Sequence, residues 1–121
     1  MEATKKRKRE IAESFSNGEF EVTFPHMLEN IQWNVIGENV FKGKSDVIQN
    51  CVQIAEYFKS VQTQFETKDV VEAGNKVVVM GTGEFFREEV SINRIAACDV
   101  YEFDDEDNLK TISSYCISES K

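Results

Sequence analysis

The sequence has few of the residues that carry metal or thiol chemistry. It contains one histidine, His26, and three cysteines, Cys51, Cys98 and Cys116, with no Cys-x-x-Cys pair. These residues do not form a recognisable zinc ligand set, and a catalytic cysteine needs a histidine close to it. We therefore predict no metal and no cofactor. The three cysteines are predicted to be reduced, buried thiols of a cytoplasmic protein.

Long hydrophobic runs are also missing. The longest, such as residues 77–80, have four residues, whereas a membrane-spanning helix needs about 20. No apolar stretch follows the basic start of the chain, so no secretory signal is visible. The sequence predicts no membrane partner, and 121 residues fit one domain spanning 1–121.

Positive charge is scarce outside one short segment. The chain has 14 Lys and Arg against 22 Asp and Glu, and five of the positive residues stand at 5–9, within a basic N-terminal segment at 1–9. The rest of the chain is strongly acidic and should repel phosphate backbones, so we predict no nucleic-acid partner. The basic segment is interpreted as a solvated N-terminus leading into a helix, with a targeting signal or a nucleic-acid arm as the alternative.

The spacing of apolar residues predicts two main helices. The first ends at Asn17 and Gly18, because glycine tolerates the left-handed backbone of a helix C-cap. The second carries one apolar stripe and can be capped by Ser45 or Asp46. The predicted helices are 4–17 and 45–60, with a short, broken helix at 19–28.

The remaining segments read as strands. Gly74 and Asn75 predict a hairpin turn, and the glycines around Thr82 predict a bend or bulge rather than a phosphate loop. Residues 104–108 read as a solvated acidic turn, with cation binding as the alternative. The predicted strands are 31–37, 64–73, 76–86, 92–103 and 110–118. This order indicates an α+β domain with helices on one face of a curved sheet.

The element order and several short segments resemble the nuclear transport factor 2-like superfamily, in its SnoaL-like and ketosteroid isomerase-like branch. The resemblance covers about residues 8–118 and is carried by 17–19, 31–35, 41–43, 99–103 and 109–112. It implies a cone-shaped domain, with helices packed on the concave face of a strongly curved, mostly antiparallel sheet. It also implies a pocket for a small apolar molecule and a homodimer formed through the outer sheet face.

The catalytic residues of these families match the chain only in part. The base position of ketosteroid isomerase falls on Asn34, the oxyanion-hole tyrosine on Ile11, and the oxyanion-hole aspartic acid on Asp99. An amide is not a proton acceptor of the carboxylate kind, so the isomerase route is incomplete. The epoxide hydrolase branch would use Asn34 and Asp99, but Ala97 stands where its arginine is expected. The acidic residue of the SnoaL-type cyclases has only a poor match, at Ser118 and Glu119.

Asp99 is the main candidate for a functional side chain. The period of two puts Ile95, Ala97, Tyr101 and Phe103 on its face of the strand, so the carboxyl is expected in an apolar site suited to acid or base work. The alternative is a structural contact with Arg94 or Asn34. Asn34 is the second catalytic candidate. The candidate ligand contacts, each with packing as its alternative, are Trp33, Phe58, Met80, Ala97, Tyr101 and Tyr115.

Two functions follow from these features. The first is an apolar cone pocket that binds a small hydrophobic molecule, with Asp99 and Asn34 at its polar base and an isomerase-, cyclase- or hydrolase-like activity as an option. The second is a protein-interaction or dimerisation module without catalysis, in which the nine phenylalanines and Trp33 fill the cone.

Overall fold

A computed structural model describes residues 7–119 of the chain. Two helices, a 3₁₀ helix and six strands follow one another. They are α1 (Lys8–Ser16), the 3₁₀ helix (Glu21–His26), β1 (Met27–Val35), β2 (Asn39–Lys42), α2 (Lys44–Lys59), β3 (Gln62–Ala73), β4 (Lys76–Arg87), β5 (Val90–Phe103) and β6 (Leu109–Ser118).

The six strands form one open sheet in the order β2-β1-β6-β5-β4-β3. All neighbours are antiparallel except β1 and β6, which run parallel. Helix α2 packs against β1, and α1 packs against β4 and β5. The predicted fold, an α+β cone with a mostly antiparallel sheet and helices on its concave face, is confirmed.

The core lies between the helices and the concave face of the sheet. The helices contribute fully buried side chains such as Ile11 from α1 and Val47 from α2. The sheet contributes alternate residues of each strand, for example Tyr101 and Phe103 of β5. The period of two thus gives β5 the inward face predicted from its sequence.

The region between the 3₁₀ helix and α2 differs from its prediction. Strand β1 begins at Met27, before the predicted start, because the Met27 side chain belongs to the core. The short edge strand β2 was not predicted, since its residues are mostly exposed and show no apolar alternation. Helix α2 begins at Lys44 with Gly43 as its N-cap, at a φ of 92°. The prediction that Ser45 or Asp46 caps this helix was therefore wrong.

The predictions for the cysteines and for the basic N-terminal segment hold only in part. Cys51 is buried as predicted, but Cys98 is half-buried and Cys116 is exposed, because Cys116 lies on the wall of a cavity. Lys8 and Arg9 of the basic segment belong to α1, and Lys8 Nζ lies 3.1 Å from a carboxylate oxygen of Asp107. Residues 1–6 lie outside the described part of the chain, and so do the start of the predicted helix and most of the basic segment, for which a targeting signal was the alternative interpretation.

The glycines of β4 allow β3 to approach closely. Gly81 pairs with Thr67 and Gly83 with Phe65, and the register shifts between Thr67 and Asp69, which is the irregularity predicted for this segment. A methyl group at Gly81 would collide with the backbone carbonyl of Glu66. A methyl group at Gly83 would lie 3.1 Å from the ring of Phe65.

The replacement Gly81→Ala is expected to lower the free energy of unfolding by about 1–3 kcal/mol, because the added methyl meets backbone that cannot rotate away. Gly83→Ala is the matched control and should have a smaller effect, since the Phe65 ring can shift. Urea unfolding followed by circular dichroism measures both. Equal midpoints for Gly81→Ala and the wild type would contradict the close approach.

Candidate functional site

A cavity of about 520 Å³ lies between the helices and the concave face of the sheet. Aromatic rings from both helical and strand elements form much of its wall. Phe58 of α2 stacks on Phe20 and on Phe85, with ring centroids 6.1 and 5.7 Å apart. The aromatic residues of the wall are Phe15, Phe20, Trp33, Phe41, Tyr57, Phe58, Phe65 and Phe85.

Among the described residues of the cavity wall, Asp99 is the one buried carboxyl group. It is 8% exposed, on the concave face of β5. Ser16 Oγ, at the end of α1, donates a hydrogen bond to Asp99 Oδ2 at 2.8 Å. The hydroxyl of Ser114, which lies opposite Asp99 in the strand register, also faces the carboxyl. Burial raises the pKa of Asp99, and the nearby hydroxyls of Ser16, Ser114 and Tyr101 oppose that rise without cancelling it.

The hydrogen bonds around Asp99 have a definite direction. Trp33 Nε1 lies 2.9 Å from Ser114 Oγ, and an indole N–H can only donate. Ser114 therefore accepts from Trp33 and keeps its own proton for Asp99.

A second series of hydrogen bonds reaches Asp99 through Ser16, the last residue of α1. Tyr101 OH lies 2.6 Å from Ser16 Oγ. Since the Ser16 proton points to Asp99, Tyr101 donates to Ser16. Burial, followed by the charge of Asp99, raises the pKa of Tyr101 well above 10, so its phenol stays protonated. Two series of hydrogen bonds, one from Trp33 through Ser114 and one from Tyr101 through Ser16, therefore end on the Asp99 carboxyl, which accepts both.

Four of the residues predicted for the site line the cavity: Trp33, Phe58, Ala97 and Asp99. Tyr101 lies behind this wall, is fully buried, and reaches the cavity through Ser16. The structural alternatives for Asp99 do not occur. Arg94 pairs instead with two carboxylates outside the site, and the side chain of Asn34 lies elsewhere.

Asn34, Met80 and Tyr115 are not brought to the cavity. Among the described residues, Asn34 bonds with Gln32 at 2.8 Å and with Ser113 at 3.4 Å. It lies on the opposite face of β1 from Trp33, because successive side chains of a strand alternate. Met80 and Tyr115 share one row across the convex face, since each is opposite Cys98 in the strand register.

Several residues of the site were missed at the sequence level, chiefly Ser16, Ser114, Cys116 and Glu38. The signal for Ser114 and Cys116 is the period of two from Ile112, which places both on the inner face of β6. Although its surface is accessible from the cavity, Cys116 is crowded by the surrounding protein; this desolvation raises its pKa to about 11, with further increases from the charges of Asp99 and Glu38. Within residues 7–119, no group of three His, Cys, Asp or Glu side chains is placed to hold a metal ion. The described helices also include none that is long and apolar enough to cross a membrane.

The fold and the cavity define a class of protein: a cone-shaped α+β domain in which helices and a mixed sheet enclose an aromatic cavity with a carboxyl group on its wall. An NTF2-like protein of unknown function from Cytophaga hutchinsonii is 35% identical to this chain. The match covers 89% of this chain and 94% of the other, with a TM-score of 0.80. The chain therefore belongs to the nuclear transport factor 2-like family.

More distant structures share the fold. An LEH-like epoxide hydrolase from M. tuberculosis is 14% identical over 91% of this chain and 82% of its own, with a TM-score of 0.68. A candidate SnoaL-like polyketide cyclase from Jannaschia sp. CCS1 is 10% identical over 96% and 90%, with a TM-score of 0.71. These likenesses show a shared fold. No family model and no curated protein sequence matches the chain.

Proposed function

We propose that this protein binds a small hydrophobic molecule in its cavity and that Asp99 contacts the polar group of that molecule. The observation that carries the proposal is a carboxyl group that is 8% exposed, accepts a hydrogen bond from Ser16, and lies on the wall of a cavity lined largely by aromatic rings. A cavity of about 520 Å³ is within the range of small-molecule sites. Apolar walls with a few convergent polar groups are the usual composition of such sites.

The same geometry supports acid or base work by Asp99. Desolvation moves the pKa of Asp99 upward, which is the direction that makes a carboxyl a more effective proton carrier near neutral pH. Ser16 and Ser114 hold the group in place, and Tyr101 and Trp33 hold those two hydroxyls. An isomerase-, cyclase- or hydrolase-like reaction of the bound molecule is the activity we propose, with Asp99 as its proton donor or acceptor.

A thermal-shift screen tests the binding. Steroids, aromatic polyketide-like acids and terpenoid epoxides are offered to the wild type, to Asp99→Asn and to Asp69→Asn, whose carboxyl is exposed on β3. A bound ligand raises the melting temperature by mass action. We expect at least one class to raise it by several degrees in the wild type and in Asp69→Asn, and not in Asp99→Asn. Absence of any shift, together with a lower melting temperature of Asp99→Asn, would favour an interaction module in which Asp99 is structural.

We also propose that two copies pair through the convex face of the sheet. That face exposes apolar side chains, notably Val71, Tyr115 and Ile117 at 47%, 47% and 68%. Half-buried Met80 and Cys98 lie in the row that contains Tyr115. An antiparallel sheet with a solvated face normally alternates apolar and polar residues, so an apolar outer face fits an interface.

Sedimentation tests the pairing. The wild type is expected to sediment as a dimer, and Ile117→Asp as a monomer, because a charge would be buried at the interface. Val52→Asp is the matched control, since Val52 is 49% exposed on α2 and lies away from the convex face. A monomeric wild type would overturn the proposal.

A further inference from the structure

The ionisable residues of the cavity wall are one-sided in charge. Among the described residues that line it, Glu38, Glu66 and Asp99 are acidic, and none is lysine, arginine or histidine. Glu66 is paired with Lys68 at 3.2 Å and contributes little net charge. The negative character of the cavity therefore rests on Asp99 at its wall and Glu38 in the turn before β2.

Asp99, Glu38 and the Cys116 thiol all line the same cavity. Cys116 lines the cavity, and the charges of both Asp99 and Glu38 add to the rise of its pKa. Interactions of this kind fall off with distance, so the fields of both carboxylates overlap beside Cys116. A ligand placed there would meet the negative potential of both carboxylates.

The hydrogen bonds at Asp99 are arranged for an anion. Ser114 accepts a hydrogen bond from Trp33, and Ser16 accepts one from Tyr101. The hydroxyl protons of both serines are therefore directed to the Asp99 carboxyl. Such donors stabilise the charged form, yet the described wall provides no positive side chain to balance it. A cationic ligand would supply that balance.

The aromatic wall suits the same kind of ligand. The faces of aromatic rings attract organic cations, and this attraction strengthens where water is excluded. Phe15 and Trp33 line the cavity and pack edge to face, with ring centroids 5.0 Å apart. Further along the cavity, Phe58 and Phe65 offer their rings to an apolar body.

We propose that the molecule bound in this cavity is a compact hydrophobic amine, whose ammonium group is recognised by Asp99 and Glu38 and whose apolar body lies against the aromatic wall. This inference rests on the proposed function, because it names the chemical class of the ligand. It also implies that carboxylic acids of the same shape are rejected, since a carboxylate would face two like charges.

Calorimetric titration at pH 7 with two matched sets of probes tests the inference. The first set is 2-naphthylmethylamine, 2-naphthalenemethanol and 2-naphthoate, and the second is 1-adamantylamine, 1-adamantanol and 1-adamantanecarboxylate. Within a set that binds, the amine is expected to bind about tenfold or more tightly than the alcohol, and the carboxylate more weakly than both. The preference should shrink as salt is added.

Three variants locate the source of the preference. Asp99→Asn should remove most of the advantage of the amine over the alcohol, leaving the smaller part that Glu38 supplies. Glu38→Gln, at an exposed position that should not affect folding, should remove part of the preference. Asp69→Asn is the control and should change nothing, because its carboxyl is exposed on β3 and does not line the cavity.

The outcomes separate this inference from the proposed function. If the alcohol or the carboxylate of a set binds as tightly as its amine, the cavity is a binding site and the inference on charge is overturned. If none of the six probes binds the wild type, the proposed function fails and the inference fails with it. If the preference persists in both Asp99→Asn and Glu38→Gln, the recognition assigned to these carboxylates is wrong.

Discussion

Replacing Trp33 by alanine is expected to lower the free energy of unfolding by about 3–5 kcal/mol, as for other buried large aromatic side chains. Trp33 is 5% exposed and packs against Phe15 and Phe41, with centroids 5.0 and 5.8 Å away. Its removal opens a void at the base of the cavity and takes away the N–H that holds Ser114. Binding of any cavity ligand should weaken together with stability.

Trp33→Phe separates packing from hydrogen bonding. The phenyl ring keeps much of the contact, so we expect a loss of about 1–2 kcal/mol, mainly from the missing bond to Ser114. Urea unfolding must be followed by far-UV circular dichroism, because Trp33 is the one tryptophan of the chain. Val52→Ala, at a position 49% exposed on α2, is the surface control. A loss below about 1 kcal/mol for Trp33→Ala would contradict the packing described here.

Much of the fold follows from local patterns. The Gly74-Asn75 turn joins β3 and β4 as its residues predict, because few other residue pairs suit a tight hairpin. The apolar stripe of α2 faces the core through Val47 and Cys51. These features depend on spacing within one element, and spacing is what a sequence displays.

The site depends on contacts between distant elements, and these were predicted less well. Ser16 and Asp99 are 83 positions apart, and no pattern within α1 or β5 couples them. Asn34 is predicted from the base position of the resembled family, and a shift of one residue in a strand exchanges its two faces. Because the bulky Trp33 takes the inward position of β1, Asn34 must point outward.

The desolvation of Asp99 was predictable from its neighbours on β5, but its partners were not. Ile95 and Ala97 indicated an apolar face, and the structure places Asp99 there at 8% exposure. The hydroxyls of Ser16 and Ser114 come from a helix and a neighbouring strand. They act against burial on the pKa of Asp99, so the direction of the shift follows only once both effects are known.

Asp99→Asn is expected to change the pH dependence of stability. Below its ordinary pKa of 3.8 the carboxyl is protonated in both the folded and the unfolded chain. Above 3.8 the unfolded chain loses this proton while the folded chain, whose pKa is raised by burial, retains it. The folded state then binds more protons, so the contribution of Asp99 to stability is lost as the pH rises through the folded pKa.

The slope of this loss can reach about 1.4 kcal/mol per pH unit, the limit for a single proton. Tyr101 and Cys116 do not contribute in this window, because burial raises the pKa of each above its ordinary, already alkaline value. Urea unfolding of the wild type and of Asp99→Asn from pH 4 upward measures the difference. As the pH rises, the free energy of unfolding of Asp99→Asn should increase relative to that of the wild type. Asp69→Asn, which is altered at an exposed carboxyl, should follow the wild type. Parallel plots of unfolding free energy against pH for Asp99→Asn and the wild type would contradict the prediction. They would mean that the effects of burial and of the three neighbouring hydroxyls on the pKa of Asp99 cancel, so that Asp99 titrates in the folded chain as it does in the unfolded one.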